Sequence, residues 1–372
     1  MKPSAEGTRY KLILGQDPIE TLWYPNRMRC FRVILFAVVV LASTLACSVA
    51  TRLIFGNTPA PPARSEATLP AFPSPTATSQ ASDSCPAEIS TILDAANNST
   101  YQSSFPSVDT GDQSDIPMVI YTVSGNEITN PILEKVPRDL IKYQNDYKLQ
   151  KQSWDLFVAI IPPDQRAVVH QYEIITDGQG GVLGAVEQSP FDPNTWMLEV
   201  DIADASDTKN LVFTMLHEFG HLLTLNPSQV PPDLKVFDNP ADNDIYSQEV
   251  NACSTYFPGE GCSLANSYIN VFFNRFWTNI YAEWQKIDDI QNDQKRENRL
   301  ESFYRKYRDQ FVDDYAVTNP SEDIAETWAY YILIPKPKGN SIADQKINFF
   351  YQYPELVQLR QQILTNLCAA NP

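Results

Sequence analysis

Histidine is scarce in this 372-residue chain, which has only three. Basic residues are also short, 28 Lys and Arg against 45 Asp and Glu, for a formal net charge of −17. Eight basic and five acidic residues precede Cys85, so the remainder carries 20 basic against 40 acidic side chains, a net charge of −20. A field of that sign repels phosphate backbones, which excludes nucleic acid as a partner class. The six cysteines include no C-x-x-C pair, so the usual spacing of a cysteine-built metal site is missing. No internal repeat is present.

What the chain does have is a concentration of its rarest residue. Residues 213–225 read FTMLHEFGHLLTL, with His217 and His221 four apart around Glu218. On a helix the two imidazoles lie about 40° apart on one face, within reach of a single ion. Met215, Leu216, Phe219, Leu222 and Leu223 fall on the other side and can bury the helix in a core. Gly220 points away from both histidines and permits close packing by another segment. H-E-x-x-H suits zinc because two neutral imidazoles bind the ion while the glutamate takes a proton from the attacking water. A catalytic zinc needs a third protein ligand. No H-x-x-G-x-x-H continuation follows His221, which excludes a third histidine of the metzincin type. His170 sits in the alternating run RAVVHQYEIIT and reads as an ordinary strand residue. A carboxylate is therefore expected.

The stretch DDYAVTNPSEDIAETWAYYI, from 313 to 332, carries the marks of a helix start: Asn319 as N-cap, Pro320 at the first helical position, Glu322 at the third. Glu322 and Glu326 share one face, Ala325 and Ala329 flank it with little bulk, and Trp328 and Ile332 supply a core side. Asp323, about 100° round from Glu322, is a competing ligand. Spacing disfavours Asp323 but does not choose between Glu322 and Glu326.

HEFGH together with Tyr-x6-Glu-x3-Glu, here Tyr315, Glu322 and Glu326, resembles the gluzincin zinc metallopeptidases related to the anthrax lethal factor catalytic domain and the secreted Pro-Pro endopeptidases. The resemblance covers roughly thirty residues in two segments. It implies a zincin-like fold, Glu322 as third zinc ligand, Glu326 as the carboxylate that orients a histidine, and Tyr315 as a donor to the oxyanion.

The flanking regions indicate export. Residues 1–29 are polar and mixed. Residues 30–52 contain an unbroken apolar run from Val33 to Ala50, about 27 Å long as a helix, which just suffices to cross a bilayer. Arg27, Arg29 and Arg32 precede it, placing the N-terminus in the cytoplasm. LAC before Ser48 also matches a lipoprotein signal, with Cys47 as the lipidated residue. Residues 53–84 are rich in Pro, Ala, Thr and Ser and read as an extended tether. Residues 85–372 form the expected extracytoplasmic domain. Its four cysteines are expected to pair as Cys253 with Cys262 and Cys85 with Cys368.

The runs 116–123, 153–162, 166–176, 180–188 and 195–203 read as strands. The HEFGH segment and 264–284, 296–315, 320–332 and 355–367 read as helices. Strands first and helices after predict an α+β fold, a small mixed sheet followed by a helical subdomain. GGVLGAVEQ is expected to form the edge along which a peptide lies. The Pro/Asp-rich stretch 226–244 is expected to wall a cleft, and Asp238, Asp242 and Asp244 offer a structural calcium site. The function expected is a membrane-anchored zinc endopeptidase acting on protein or peptide substrates. The alternative from another class is a non-catalytic cell-surface binding module with a structural zinc, which has no need of Glu218.

Overall fold

A computed structural model describes residues 86–98, 116–179 and 181–370. The 30–52 segment, Cys47, the tether and Cys85 lie outside the described residues. No helix among the described residues is long and apolar enough to cross a membrane.

The chain runs through α1 (Pro86–Asn98), β1 (Val119–Ser124), β2 (Glu127–Leu133), α2 (Ile141–Gln144), α3 (Tyr147–Ile160), β3 (Val169–Ile175), β4 (Gly184–Gln188) and β5 (Trp196–Asp201). It continues as helices: α4 (Thr208–Leu225), α5 (Leu234–Asp238), α6 (Asn243–Ala252), α7 (Tyr268–Phe276), α8 (Tyr281–Asp288), α9 (Asp293–Lys306), α10 (Pro320–Leu333), α11 (Ile342–Phe350) and α12 (Pro354–Ala370). The α+β expectation, a small mixed sheet and then helices, therefore holds.

The five strands lie in the order β2-β1-β3-β5-β4. Only β3 and β5 run parallel; the other neighbours are antiparallel. All six residues of β5 are buried, as suits an interior strand. At the β4 edge, Leu183 O accepts from Asp201 N at 3.0 Å and Ser189 N donates to Thr195 O at 2.8 Å. By the alternation of antiparallel ladders, Ala185 and Glu187 also bond β5, while Gly184, Val186 and Gln188 turn their backbone groups to the outer edge.

Three expectations about elements need correction. The run 153–162 is not a strand but the second half of α3. Asp146 caps that helix, and Gln150, Ser153, Trp154, Phe157 and Ile160 are buried at helical spacing. A ten-residue apolar window hides the 3.6-residue period that the preceding YKLQKQ makes visible. The segment 264–284 is broken between α7 and α8 rather than continuous. Strand β2 and helices α1, α2, α5, α6 and α11 were not foreseen; Ser341 and Asp344 start α11 with a reciprocal capping box.

One hydrophobic cluster joins Val186, Leu198 and Val200 of the sheet to Leu216 and Phe219 of α4 and Trp328 of α10. The approach of α10 to α4 depends on Gly220. A Cβ placed there would stand 2.8 Å from Ala325 Cα and 3.2 Å from Ala325 Cβ. Cys253 and Cys262 are joined as expected. Cys368 is also disulfide-bonded.

Candidate metal centre

Two helices position the centre. Asp207 accepts from Asn210 N and starts α4, fixing the register of the H-E-x-x-H residues. Asn319 accepts from Ser321 N and Glu322 N, with Pro320 at the first helical position, so Glu322 sits in the capped first turn of α10. With Gly220 against Ala325, the two first-choice faces meet.

There His217 Nε2 lies 3.1 Å from His221 Nε2 and 3.0 Å from Glu322 Oε2, and His221 Nε2 lies 3.3 Å from the same oxygen. All three residues are buried. Ligand atoms at bonds of about 2.0 to 2.1 Å on a tetrahedral zinc stand about 3.3 Å apart. The triangle of His217, His221 and Glu322 therefore fits a metal ion of that size. Behind it, Glu326 Oε2 bonds His217 Nδ1, which leaves Nε2 facing the other two ligand atoms. Glu326 thus lies outside the triangle and against the ring of His217.

Glu218 is buried beside the triangle but is not part of it. Burial, with Glu322 and Glu199 nearby, pushes its carboxyl well above the usual range against the opposing pull of His217. The Val186 N–H on β4 faces the carboxylate and also opposes the rise. Its Oε2 is buried and has no hydrogen-bond partner among the described residues. For His217, burial favours the neutral ring, but Glu326 and Glu322 outweigh it and raise the pKa well above normal. Burial would also raise Glu322, yet the two imidazoles win and hold it well below the carboxylate range. His221 is lowered, chiefly by burial.

Tyr315 opens a short 3-10 turn at Tyr315–Val317, and its ring centre is 5.6 Å from that of His217. Its hydroxyl bonds Glu322. Asp323 is not part of the triangle. It turns away to Lys346 Nζ at 2.5 Å and Trp277 Nε1 at 2.7 Å. His170 is exposed on β3, an ordinary strand residue as read.

Sequence reasoning missed three participants. Asp313 lies against Glu326, and burial with that like charge pushes its carboxyl well up. Val186 and Lys346 were also missed, because nothing local in the sequence links them to HEFGH. The position expected for a second ion is corrected. Asp242 is occupied as the N-cap of α6, accepting from Asp244 N and Ile245 N, and Asp238, Asp242 and Asp244 are not among the groups able to hold an ion. The second such group is Asp177, Asp201 and Asp204, at the ends of β3 and β5. Asp201 accepts from Asp177 N at 2.9 Å and Ala203 N at 2.7 Å, and burial first, then its two acidic neighbours, push its carboxyl up to about 8.

No family model, curated protein or solved structure matches the chain.

Proposed function

We propose that the chain is a zinc-dependent endopeptidase, anchored through residues 30–52 and working outside the membrane at the end of the 53–84 tether. The observation that carries this reading is Glu218: a buried carboxylate with an open oxygen, set beside three convergent ligand atoms and the outer edge of β4. A purely structural site has no use for such a group.

His217, His221 and Glu322 would hold the zinc, which when bound would supply a Lewis acid to polarise a peptide carbonyl and acidify the attacking water. The rest falls to the chain itself. Glu218 takes the water's proton and passes it to the leaving amine, a task suited to a carboxyl whose pKa burial raises. Glu326 fixes the ring of His217 through Nδ1. The Tyr315 hydroxyl, beside Glu322, donates to the oxyanion as it forms. Gly184 and Gln188 offer outward backbone groups to an extended peptide, with Val186 joining that edge to Glu218. The motif resemblance to the lethal factor-related gluzincins implies the same roles for Glu322, Glu326 and Tyr315.

The test is metal analysis of the purified full chain followed by digestion of a broad peptide library. One zinc per chain is expected, with cleavage lost on chelation and restored by zinc. A protein that binds stoichiometric metal but cuts nothing in the library would leave the binding-module alternative standing.

A further inference from the structure

Lys346 is fully buried, with its ammonium wholly inside the protein. It lies on α11, 4.1 Å from the centre of the Phe311 ring, with Phe272 and Trp277 at 5.7 and 5.9 Å. Its ion-pair partner is Asp323 Oδ2 at 2.5 Å, and both side chains have no exposed surface. The same oxygen accepts from Trp277 Nε1 at 2.7 Å, and Thr327 Oγ1, one turn along, reaches Oδ1 at 3.4 Å. A buried ion pair of this kind is a poor way to gain stability, since desolvation offsets the attraction and apolar replacements often serve as well. What it does supply is direction. Asp323 is held from two different elements, so its azimuth around α10 is fixed.

The residue before it is Glu322. Side-chain ends lie about 5 to 6 Å from a helix axis, so a rotation of about 10° would carry the Glu322 carboxylate by about 1 Å. Metal–ligand distances tolerate only about 0.2 Å. The far end of α10 is pinned as well, for Arg360 of α12 donates to Tyr331 O at 2.6 Å and Ile334 O at 2.8 Å. Gly220 against Ala325 blocks the sliding motion. Rotation of the helix is held at mid-length by the Glu326–His217 bond and in its first turn by the Asp323 contacts.

We infer that Lys346, acting through Asp323 and with Trp277, is a positioning residue that sets the rotation of α10 so that Glu322 meets His217 and His221. This inference rests on the metal-centre reading above.

The experiment is a mutant cycle on zinc affinity, read by chelator competition with the full chain. Lys346→Met is expected to weaken zinc binding by about 10 to 100-fold, the usual cost of losing a group that orients a ligand. In a Glu322→Ala background the same change should cost less than about threefold, because the ligand it positions is gone. Cobalt-substituted protein adds a second readout, since displacement of a ligand changes the visible absorption band. Asp323→Leu with Lys346→Met supplies the same cycle if Lys346→Met alone melts below the assay temperature, because an apolar pair leaves no charge stranded. In that variant the zinc-free melting temperature should stay near wild type while zinc affinity still falls. Equal losses in the two backgrounds, or wild-type affinity in the apolar-pair variant, would overturn the positioning role. A wild-type chain that binds no divalent metal would instead overturn the metal centre itself.

Discussion

Replacing Glu218 by Gln isolates the step on which the peptidase reading depends. The substitution keeps shape and removes only the ability to take a proton. Glu218 is not one of the three convergent ligand atoms, so zinc should stay bound. The amide oxygen can still face the Val186 N–H that the carboxylate now faces. Loss of a general base costs about 10² to 10⁴-fold. At about 1.36 kcal/mol per tenfold, that is roughly 2.7 to 5.5 kcal/mol of barrier. The loss should appear in kcat with little change in KM, since the proton moves only in the transition state. Stability should move the other way. A carboxyl whose folded pKa is raised contributes stability below its unfolded pKa and loses it as pH rises, so at pH 7 the neutral amide relieves the zinc-free protein of that loss. The zinc-free variant should therefore melt no lower than wild type at pH 7. Zinc content by metal analysis, turnover of a cleavable library peptide and the melting curve together decide the matter. Zinc-replete Gln protein retaining activity within about threefold of wild type would refute the assignment of Glu218 as base.

The two glutamates of α10 should separate cleanly. Glu322→Ala removes a ligand atom and should sharply weaken zinc binding, by more than about 10³-fold, and abolish turnover, whereas Glu326→Ala should keep zinc with affinity weakened about 10 to 100-fold; the reverse pattern in metal analysis would shift the ligand by one helical turn. Zinc binding should strengthen about tenfold per pH unit near neutrality, because Glu326 and Glu322 hold a proton on His217 that the metal must displace, while His221, lowered by burial, is already neutral. Calorimetry in buffers of different ionisation enthalpy should count about one proton released, and a pH-independent affinity would contradict it. Gly220→Ala should lower the melting temperature by several degrees: better helix propensity gains about 1 kcal/mol, but a Cβ 2.8 Å from the Ala325 backbone cannot be accommodated by a rotamer change and overpacking costs about 1 to 3 kcal/mol. A rise in melting temperature would mean the α4–α10 contact is looser than described.

The legible parts of this molecule are those whose determinants are local. His217, Glu218 and His221 lie within five residues, so helical spacing alone predicts their shared region. Asn319, Pro320 and Glu322 announce a helix start by their order, and α10 begins there. The run 153–162 failed because it is apolar almost throughout, which masks the 3.6-residue burial period, and Asp146, the cap that starts α3, stands seven residues upstream of it. The second ion site was expected at the wrong aspartates for a related reason. Closely spaced aspartates in a loop are as well suited to capping a helix as to holding an ion, and Asp242 caps. Asp177, Asp201 and Asp204 come together only because β3 and β5 run parallel, a pairing the sequence pattern does not specify.

The third ligand shows why even a correct motif leaves the choice open. Glu322, Asp323 and Glu326 differ only in azimuth and in one turn of height, and a helix can be rotated to offer any of them. The rotation is decided by partners far away in sequence: Lys346, which draws Asp323 out of the site, and His217, whose Nδ1 engages Glu326. Charge makes the outcome consistent. Among the described residues no Lys or Arg ion pair reaches Glu218, Glu322 or Glu326, although all three are buried; the one buried lysine beside this helix bonds Asp323 instead. Buried carboxylates without a fixed cation are costly. A divalent ion at the triangle would supply positive charge at the point where two imidazoles and Glu322 already converge, which fits the absence of a lysine there and the presence of one behind Asp323.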